Sequence, residues 1–401
     1  MQKIRLLLEA GKTKDAIAEG EKLMAAFPEE ERFVMAFAEV LAKHEQLPLA
    51  ISFLEKFTTS RENAGNAAML LAGLYRDARQ EQKARDILVQ VFDNPDVEFG
   101  SKIIVLSSYN TEINQNRARR IADPDKESFA MVLYNKLAAS HPYDTHVHIL
   151  GGDLYLSTGR NEEAIEEYKT AIGSGDVNFE VWQNLLYLEV QEELYDQVMN
   201  DAEKALELFP NQSIIHYFNG YAALHKRKYA EAIFSLEQAK RLSVSEKKLV
   251  PEIDSMLGDA YNATRQYDKS DKAYDEALAA NPNNYNVLNN YSFFLALRKV
   301  NLEKAERMSA KLVKDNPDNA SYLDTHAWVL YMREKYKEAR KTMEKVIGTG
   351  QANATHLEHY GDILFKLGDV DGAVQQWERA RGMNANSETL NKKIANRKIY
   401  E

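Results

Sequence analysis

The chain has no cysteine, so disulfides, thiolate nucleophiles and cysteine zinc sites are excluded. It has no excess of basic charge: 51 Lys and Arg face 61 Asp and Glu, for a net charge of −10. The signs are interspersed, which argues against a general nucleic-acid binder with its basic stripe. No apolar run approaches the ~20 residues needed to span a bilayer. No charged-then-apolar signal segment opens the sequence. Gly-x-x-x-x-Gly-Lys, Gly-x-Ser-x-Gly and Gly-x-Gly-x-x-Gly are all missing, so neither a phosphate loop nor a nucleophile elbow is expected. With 44% hydrophobic and 28% charged residues in 401, the composition is that of a folded chain.

What is present is a repeat. Ala16, Ala50 and Ala84 lie 34 apart, as do Ala130, Ala164, Val198 and Ala232. Ser270, Ala305, Ala339 and Ala373 continue at nearly the same step. A large residue follows four later at Leu54, Leu88, Tyr134, Tyr168, Leu236, Tyr274, Met343 and Trp377, which lines one helical face. Pro28, Pro142, Pro210, Pro282 and Pro317 each fall twelve after the small residue, where proline ends a helix. A preceding helix carries Gly152 before Tyr155, Gly258 before Tyr261, and Gly361 before Leu364, with Gly220, Ala327 and Ser292 in the glycine place elsewhere. Glycine inside a helix costs ~1 kcal/mol against alanine. Its repeated use implies a neighbouring helix in close approach, and so two antiparallel helices packed small into large.

These marks resemble the tetratricopeptide repeat (TPR), in about 11 units across nearly the whole chain. The implied fold is all-α, a right-handed superhelical solenoid of antiparallel helix pairs with a C-terminal capping helix. Four regions are expected: N-terminal repeats over 1–96, the first one truncated; an irregular repeat with an insertion over 97–142; seven repeats over 143–386; and the cap over 387–401. Counting back from Ala16, the first helix begins before Met1, so the chain is expected to start inside a repeat. Any signal or lipid anchor upstream would then be lost. From Ala84 to Ala130 the step is 46, which places surplus residues near 97–125, as a lengthened helix or an excursion. Deleting Asn114 to Asp123 is expected to leave folding largely intact. A smaller surplus of four falls around Ser243 to Glu252.

The side chains with chemical potential read mostly as parts of this repeat. His146 and His148 lie two apart and point about 200° away from each other on a helix, so they cannot grip one metal. His148 is expected at a helix interface and His146 on the groove. His356 and His359, with Glu358 and Asp362 nearby, have the spacing of a helical metal pair, but a polar groove-lining helix is the expected outcome. Glu162, Glu163, Glu166 and Glu167 are expected to be solvated. Arg117, Arg119 and Arg120 lie in the insertion, where an acidic partner could dock, but a solvated loop or helix end is the expected outcome. No catalytic residue, metal or cofactor is expected.

The resemblance implies a concave face lined by first helices that binds an extended or helical polypeptide. The groove positions read Glu180, Gln183, Asn184 and Tyr187; then Tyr217, Phe218 and Tyr221; then Asn286, Asn289, Asn290 and Phe293; then Asp324, Thr325, Trp328 and Tyr331; then Glu358, His359, Asp362 and Phe365. Of these, Gln183, Asn184, Tyr187, Tyr217, Phe218, Tyr221, Asn289, Asn290, Phe293, Trp328 and Tyr331 form the expected partner-binding set. Tyr217, Tyr221, Asn289 and Trp328 are its principal contacts. Amides can pair with peptide backbone, and aromatic rings supply contact area. Trp328 and Tyr221 are expected to support no core. Gln183, Tyr217 and Asn289 stand where carboxylate-clamping members place lysine, so that clamp is not expected. The partner segment is expected to be mostly apolar.

The last third, with "LDTHAWVLY" and "GDILFKLGDVDGAVQQW", is similar to the closing repeats of bacterial cell-envelope TPR lipoproteins, some of which hold a processing protease and its substrates together. The resemblance implies a non-enzymatic adaptor, periplasmic or at the outer membrane. The alternatives are a cytoplasmic regulatory or oligomerisation protein, or the repeat half of a larger enzyme. No nucleic-acid partner and no membrane span are expected.

Overall fold

The computed structural model describes residues 1–28, 30–61, 64–243, 248–383 and 387–400. Among them the chain forms 23 α-helices and no strand. The chain divides into two compact units, Met1–Glu192 and Glu193–Glu401. The first contains α1 (Gln2–Glu9), α2 (Thr13–Ala26), α3 (Glu31–Lys43), α4 (Leu47–Thr59), α5 (Gly65–Asp77), α6 (Glu81–Asp93), α7 (Phe99–Ala118), α8 (Pro124–Ser140), α9 (Thr145–Thr158), α10 (Asn161–Ser174) and α11 (Phe179–Gln191). The second contains α12 (Tyr195–Leu208), α13 (Ser213–His225), α14 (Tyr229–Leu242), α15 (Val250–Ala263), α16 (Tyr267–Ala280), α17 (Tyr285–Arg298), α18 (Leu302–Asp315), α19 (Ala320–Met332), α20 (Tyr336–Gly348), α21 (Ala354–Lys366), α22 (Val370–Gly382) and α23 (Glu388–Asn396). Within each unit, helices adjacent in sequence pack as antiparallel pairs, and pairs stack on their neighbours.

The glycines show why the pairs close. A Cβ added to Gly152 would lie 2.5 Å from the Tyr168 ring, and one added to Gly151 would lie 2.4 Å from the Tyr134 hydroxyl. One glycine therefore receives the aromatic residue of its own repeat and the other that of the repeat before. Gly258 seats Tyr274 and Gly361 seats Trp377 in the same way. Tyr168, Tyr274 and Trp377 are fully buried as a result. The full burial of one such ring stabilises by roughly 1.5–3 kcal/mol, which outweighs the helix cost of the glycine.

A second period belongs to the turn between the two helices of a repeat. A left-handed residue recurs at Gly11, Glu45 and Arg79, at Gly159, Glu193 and Arg227, and at Arg265, Lys299, Glu334 and Gly368. The following N–H then reaches back five residues, as Gln80 to the Tyr75 carbonyl at 2.8 Å and Lys228 to the Ala223 carbonyl at 2.8 Å. These bonds satisfy orphan carbonyls of the first helix. Most of these places hold Glu, Arg or Lys rather than glycine, so the turn has no glycine signature in the sequence.

Between Ala84 and Ala130 the regular dimensions fail. α7 has 20 residues and α8 has 17, against 13 or 14 in most others. The surplus is built mainly into helix. Ile113 is fully buried, and the Asp123 side chain caps α8 by accepting the Lys126 N–H at 3.2 Å. Residues 114–123 hold that cap and the turn between α7 and α8, and none of them is buried. The four-residue surplus after Ser243 falls largely on 244–247, outside the described residues.

Candidate functional site

In the N-terminal unit, α11 carries three of the expected groove residues. Tyr187 is exposed and Gln183 half-buried. Asn184 donates its amide to the Tyr168 hydroxyl at 3.3 Å, while that hydroxyl donates to Asp153 Oδ1 at 2.7 Å. The same construction recurs in the C-terminal unit. Tyr274 donates to Asp259 Oδ1 at 2.5 Å, and Asn290 donates to the same oxygen at 3.0 Å. Trp377 Nε1 donates to Asp362 Oδ1 at 3.0 Å. The aspartate after each packing glycine thus accepts from the ring seated on that glycine. Burial raises the carboxyl pKa of Asp153 and Asp259, partly opposed by the hydrogen bonds from Tyr168 and Tyr274. Asn184 and Asn290 each place one amide N–H on this internal ladder.

The face of α13 is aromatic. Tyr195 on α12 stacks on His225 at 4.7 Å and 16°, and Tyr221 lies 4.5 Å from the same imidazole. Tyr217 continues the row 6.3 Å from Tyr221, and Phe218 follows 5.6 Å from Tyr217. Tyr217 donates to Glu252 at 3.4 Å. Tyr195, Tyr217 and Tyr221 are half-buried and His225 is exposed, whereas Phe218 is buried. Tyr217, Phe218 and Tyr221 are therefore brought together. Tyr195 and His225 were not recognised from sequence, because Tyr195 opens a second helix and His225 closes a first helix.

The other expected residues meet on α17, α19 and α21. Trp328 stacks on Tyr331 at 4.8 Å and 10°, and on His359 at 4.0 Å and 18°. Both Trp328 and Tyr331 belong to the core cluster, at 8% and 7% exposure. The expectation that Trp328 and Tyr221 support no core fails for Trp328, and Tyr221 too packs against a core cluster. Neighbouring first helices approach closely enough for large rings to fill the seam between them. Phe293 is half-buried, 6.5 Å from His359. Asn289 is also half-buried, donates weakly to Asn290 at 3.4 Å, and leaves its Oδ1 without a protein partner among the described residues.

The histidine pairs serve structure. His148 Nδ1 lies 2.7 Å from Glu167 and Nε2 lies 3.0 Å from the Pro142 carbonyl. His216, two repeats on, likewise places Nε2 3.2 Å from the Pro210 carbonyl. Both rings tie the first helix to the turn that precedes it. Glu167 also accepts from the Tyr134 hydroxyl at 2.5 Å, so it is not solvated as expected. His356 Nδ1 accepts from the Asn353 N–H in a capping box, while His359 Nδ1 meets Asp324 at 2.9 Å. The two histidines thus serve different partners, and no cluster of metal-ligating residues occurs among the described residues. No helix among them is long and apolar enough to cross a membrane.

This geometry agrees with comparisons to known proteins. Models of the tetratricopeptide repeat family match residues 325–386, and also 147–174 and 255–284. These segments are tetratricopeptide repeats, and repeats of this kind generally mediate protein–protein interaction. A TPR repeat-containing protein of Methanocaldococcus jannaschii is 25% identical over 284 residues, covering 58% of this chain and 49% of that protein. Tetratricopeptide repeat protein 21A of Mus musculus is 20% identical over 409 residues, covering 94% of this chain and 30% of that protein. The chain thus spans half or less of the length of these relatives. A tetratricopeptide repeat protein from Parabacteroides merdae, of known crystal structure, covers 63% of this chain and 98% of its own at 17% identity, with a TM-score of 0.49.

Proposed function

We propose that the chain is a non-enzymatic scaffold that holds a segment of a partner polypeptide on the face lined by its first helices. The observation that carries this reading is the row Tyr195, His225, Tyr221 and Tyr217, in which Tyr195 stacks on His225 and the other rings follow in tilted contact, all partly open to solvent. Such rings offer large contact area at low entropic cost, as interface hot spots do. Peptides selected from a displayed random library and titrated against variants test it. Tyr221→Ala and Asn289→Ala should each weaken binding by ~1–3 kcal/mol, while Phe234→Ala, a 62% exposed ring on a second helix, should not. The reverse ranking would move the functional surface to the second helices.

We propose further that this scaffold works in the bacterial cell envelope. The support is the likeness of its closing repeats to those of envelope adaptors. Fractionation of cells producing the native protein tests it. Recovery with the periplasm or outer membrane supports the adaptor, and recovery in the cytosol favours the regulatory or oligomerisation reading.

A further inference from the structure

The first-helix face of the C-terminal unit holds a cavity of about 390 Å³ whose lining includes Lys299, Trp328, Tyr331, Glu358, His359 and Tyr400. That volume lies within the roughly 300–1,000 Å³ of small-ligand sites. Its floor is a charged network. Lys393, 4% exposed, donates to Glu358 Oε1 at 2.8 Å and to Asp362 Oδ2 at 2.7 Å. His359 Nδ1 meets both Asp324 oxygens, at 2.9 and 3.0 Å. Three carboxylates therefore face one buried lysine and the exposed rim residue Lys299. Glu358 Oε2 and His359 Nε2 have no partner among the described residues, and the two residues are adjacent on α21.

A second observation comes from the aromatic wall. Both faces of the Trp328 indole are covered, by His359 and by Tyr331. The Trp328 Nε1–H is buried and meets no acceptor among the described residues, although a buried donor left unpaired costs roughly 1–3 kcal/mol. The unpaired acceptors of the site are therefore Glu358 Oε2 and His359 Nε2, beside three carboxylates and one buried lysine.

We propose that this cavity binds an arginine residue of the partner polypeptide. The guanidinium donates to Glu358 Oε2 and His359 Nε2. His359 can accept there because its Nδ1–H is given to Asp324. The planar fork of arginine supplies two N–H groups in fixed register, which an ammonium does not. This assignment rests on the scaffold reading above, and it adds a basic anchor to a segment that the sequence alone suggested was mostly apolar.

The test uses the full chain labelled with 5-fluorotryptophan, in which three tryptophans give three fluorine resonances. Trp328→Phe assigns the relevant one. Nα-acetyl-arginine methylamide should shift the Trp328 resonance saturably. The citrulline analogue, of nearly the same shape but uncharged, should bind about tenfold more weakly, because charge-assisted hydrogen bonds are roughly twice as strong as neutral ones. Glu358→Gln should bring arginine to the citrulline level at an unchanged melting temperature. If that variant unfolds, the comparison of arginine with citrulline on the unaltered chain decides alone. Equal binding of the two, tighter binding of the glutamate analogue, or an unmoved Trp328 signal would overturn the proposal. Failure here, with library-selected peptides still dependent on Tyr221, leaves the scaffold reading intact. Loss of that dependence would overturn the scaffold reading as well.

Discussion

The irregular repeat and the regular repeats bury charge in opposite ways. In the N-terminal unit, the long helix α7 brings Glu112 between Arg76 and Lys126, with Lys126 Nζ at 2.8 Å, and Arg76 also lies over the Tyr109 ring at 4.5 Å. Lys102, 3% exposed, donates to the Phe92 and Asn94 carbonyls at the end of α6. In the regular repeats of both units, aspartates after packing glycines accept neutral donors, as Asp153 does from Tyr168 and Asp259 does from Tyr274 and Asn290. Ion pairing answers an irregular repeat, whose longer helices no longer match their neighbours. The neutral ladder belongs to repeats of uniform length.

The comparison breaks most readily at the sockets. Tyr274→Ala should cost about 3–5 kcal/mol by emptying a fully buried site, and Gly258→Val about 1–3 kcal/mol by overpacking it. Urea unfolding of the full chain checks both. If Gly258→Val is neutral, the close approach is not what holds the pair.

Replacing Glu112 by Gln should cost about 1 kcal/mol, given that all three members of its cluster are partly exposed. Burial alone would raise the Glu112 pKa, yet Lys126 and Arg76 bring it below the usual carboxylate value. Its stabilisation is therefore present above the unfolded-state pKa and lost as pH falls through the folded one. Melting temperatures from pH 6 down to pH 3 should drop less steeply in Glu112→Gln than in the parent.

Asp259 should behave with the opposite sign. Burial raises its carboxyl pKa, so the contribution to stability is full at low pH and declines as pH rises through the folded value. Asp259→Asn keeps both accepted hydrogen bonds and should flatten that decline. An unchanged profile would show that Asp259 titrates as it does in the unfolded chain. The smallest effect belongs to the turns: Arg227→Gly relieves a left-handed residue but loosens the unfolded chain, so stability should move by about 0.5 kcal/mol or less.

The sequence was most legible where geometry demands a residue type. Gly258 and Tyr274 announce each other because nothing larger fits between their helices, and the 34-residue step follows from many such pairs. The site was less legible for two reasons. Asn290 reads as a free groove amide until Asp259, 31 residues earlier, is seen to accept from it. Trp328 and Tyr331 read as exposed rings, because position in the repeat does not reveal how closely the neighbouring first helix approaches. Lys393, which closes the charged floor of the cavity, stands in the last helix, beyond the recurring spacing.

The recurring left-handed turn and the glycine socket together make an ordinary helix pair an interchangeable cassette. Its knob, its seat and its bend all lie within one 34-residue period, so recombination can add or remove a whole pair without redesigning the join. The stretch from α7 to α8 lacks that modularity: its helices are fitted to particular neighbours through Arg76, Glu112 and Lys126. Gain or loss of repeats during descent should therefore fall on either side of it, and this stretch should serve as the fixed landmark by which chains of different repeat number are aligned.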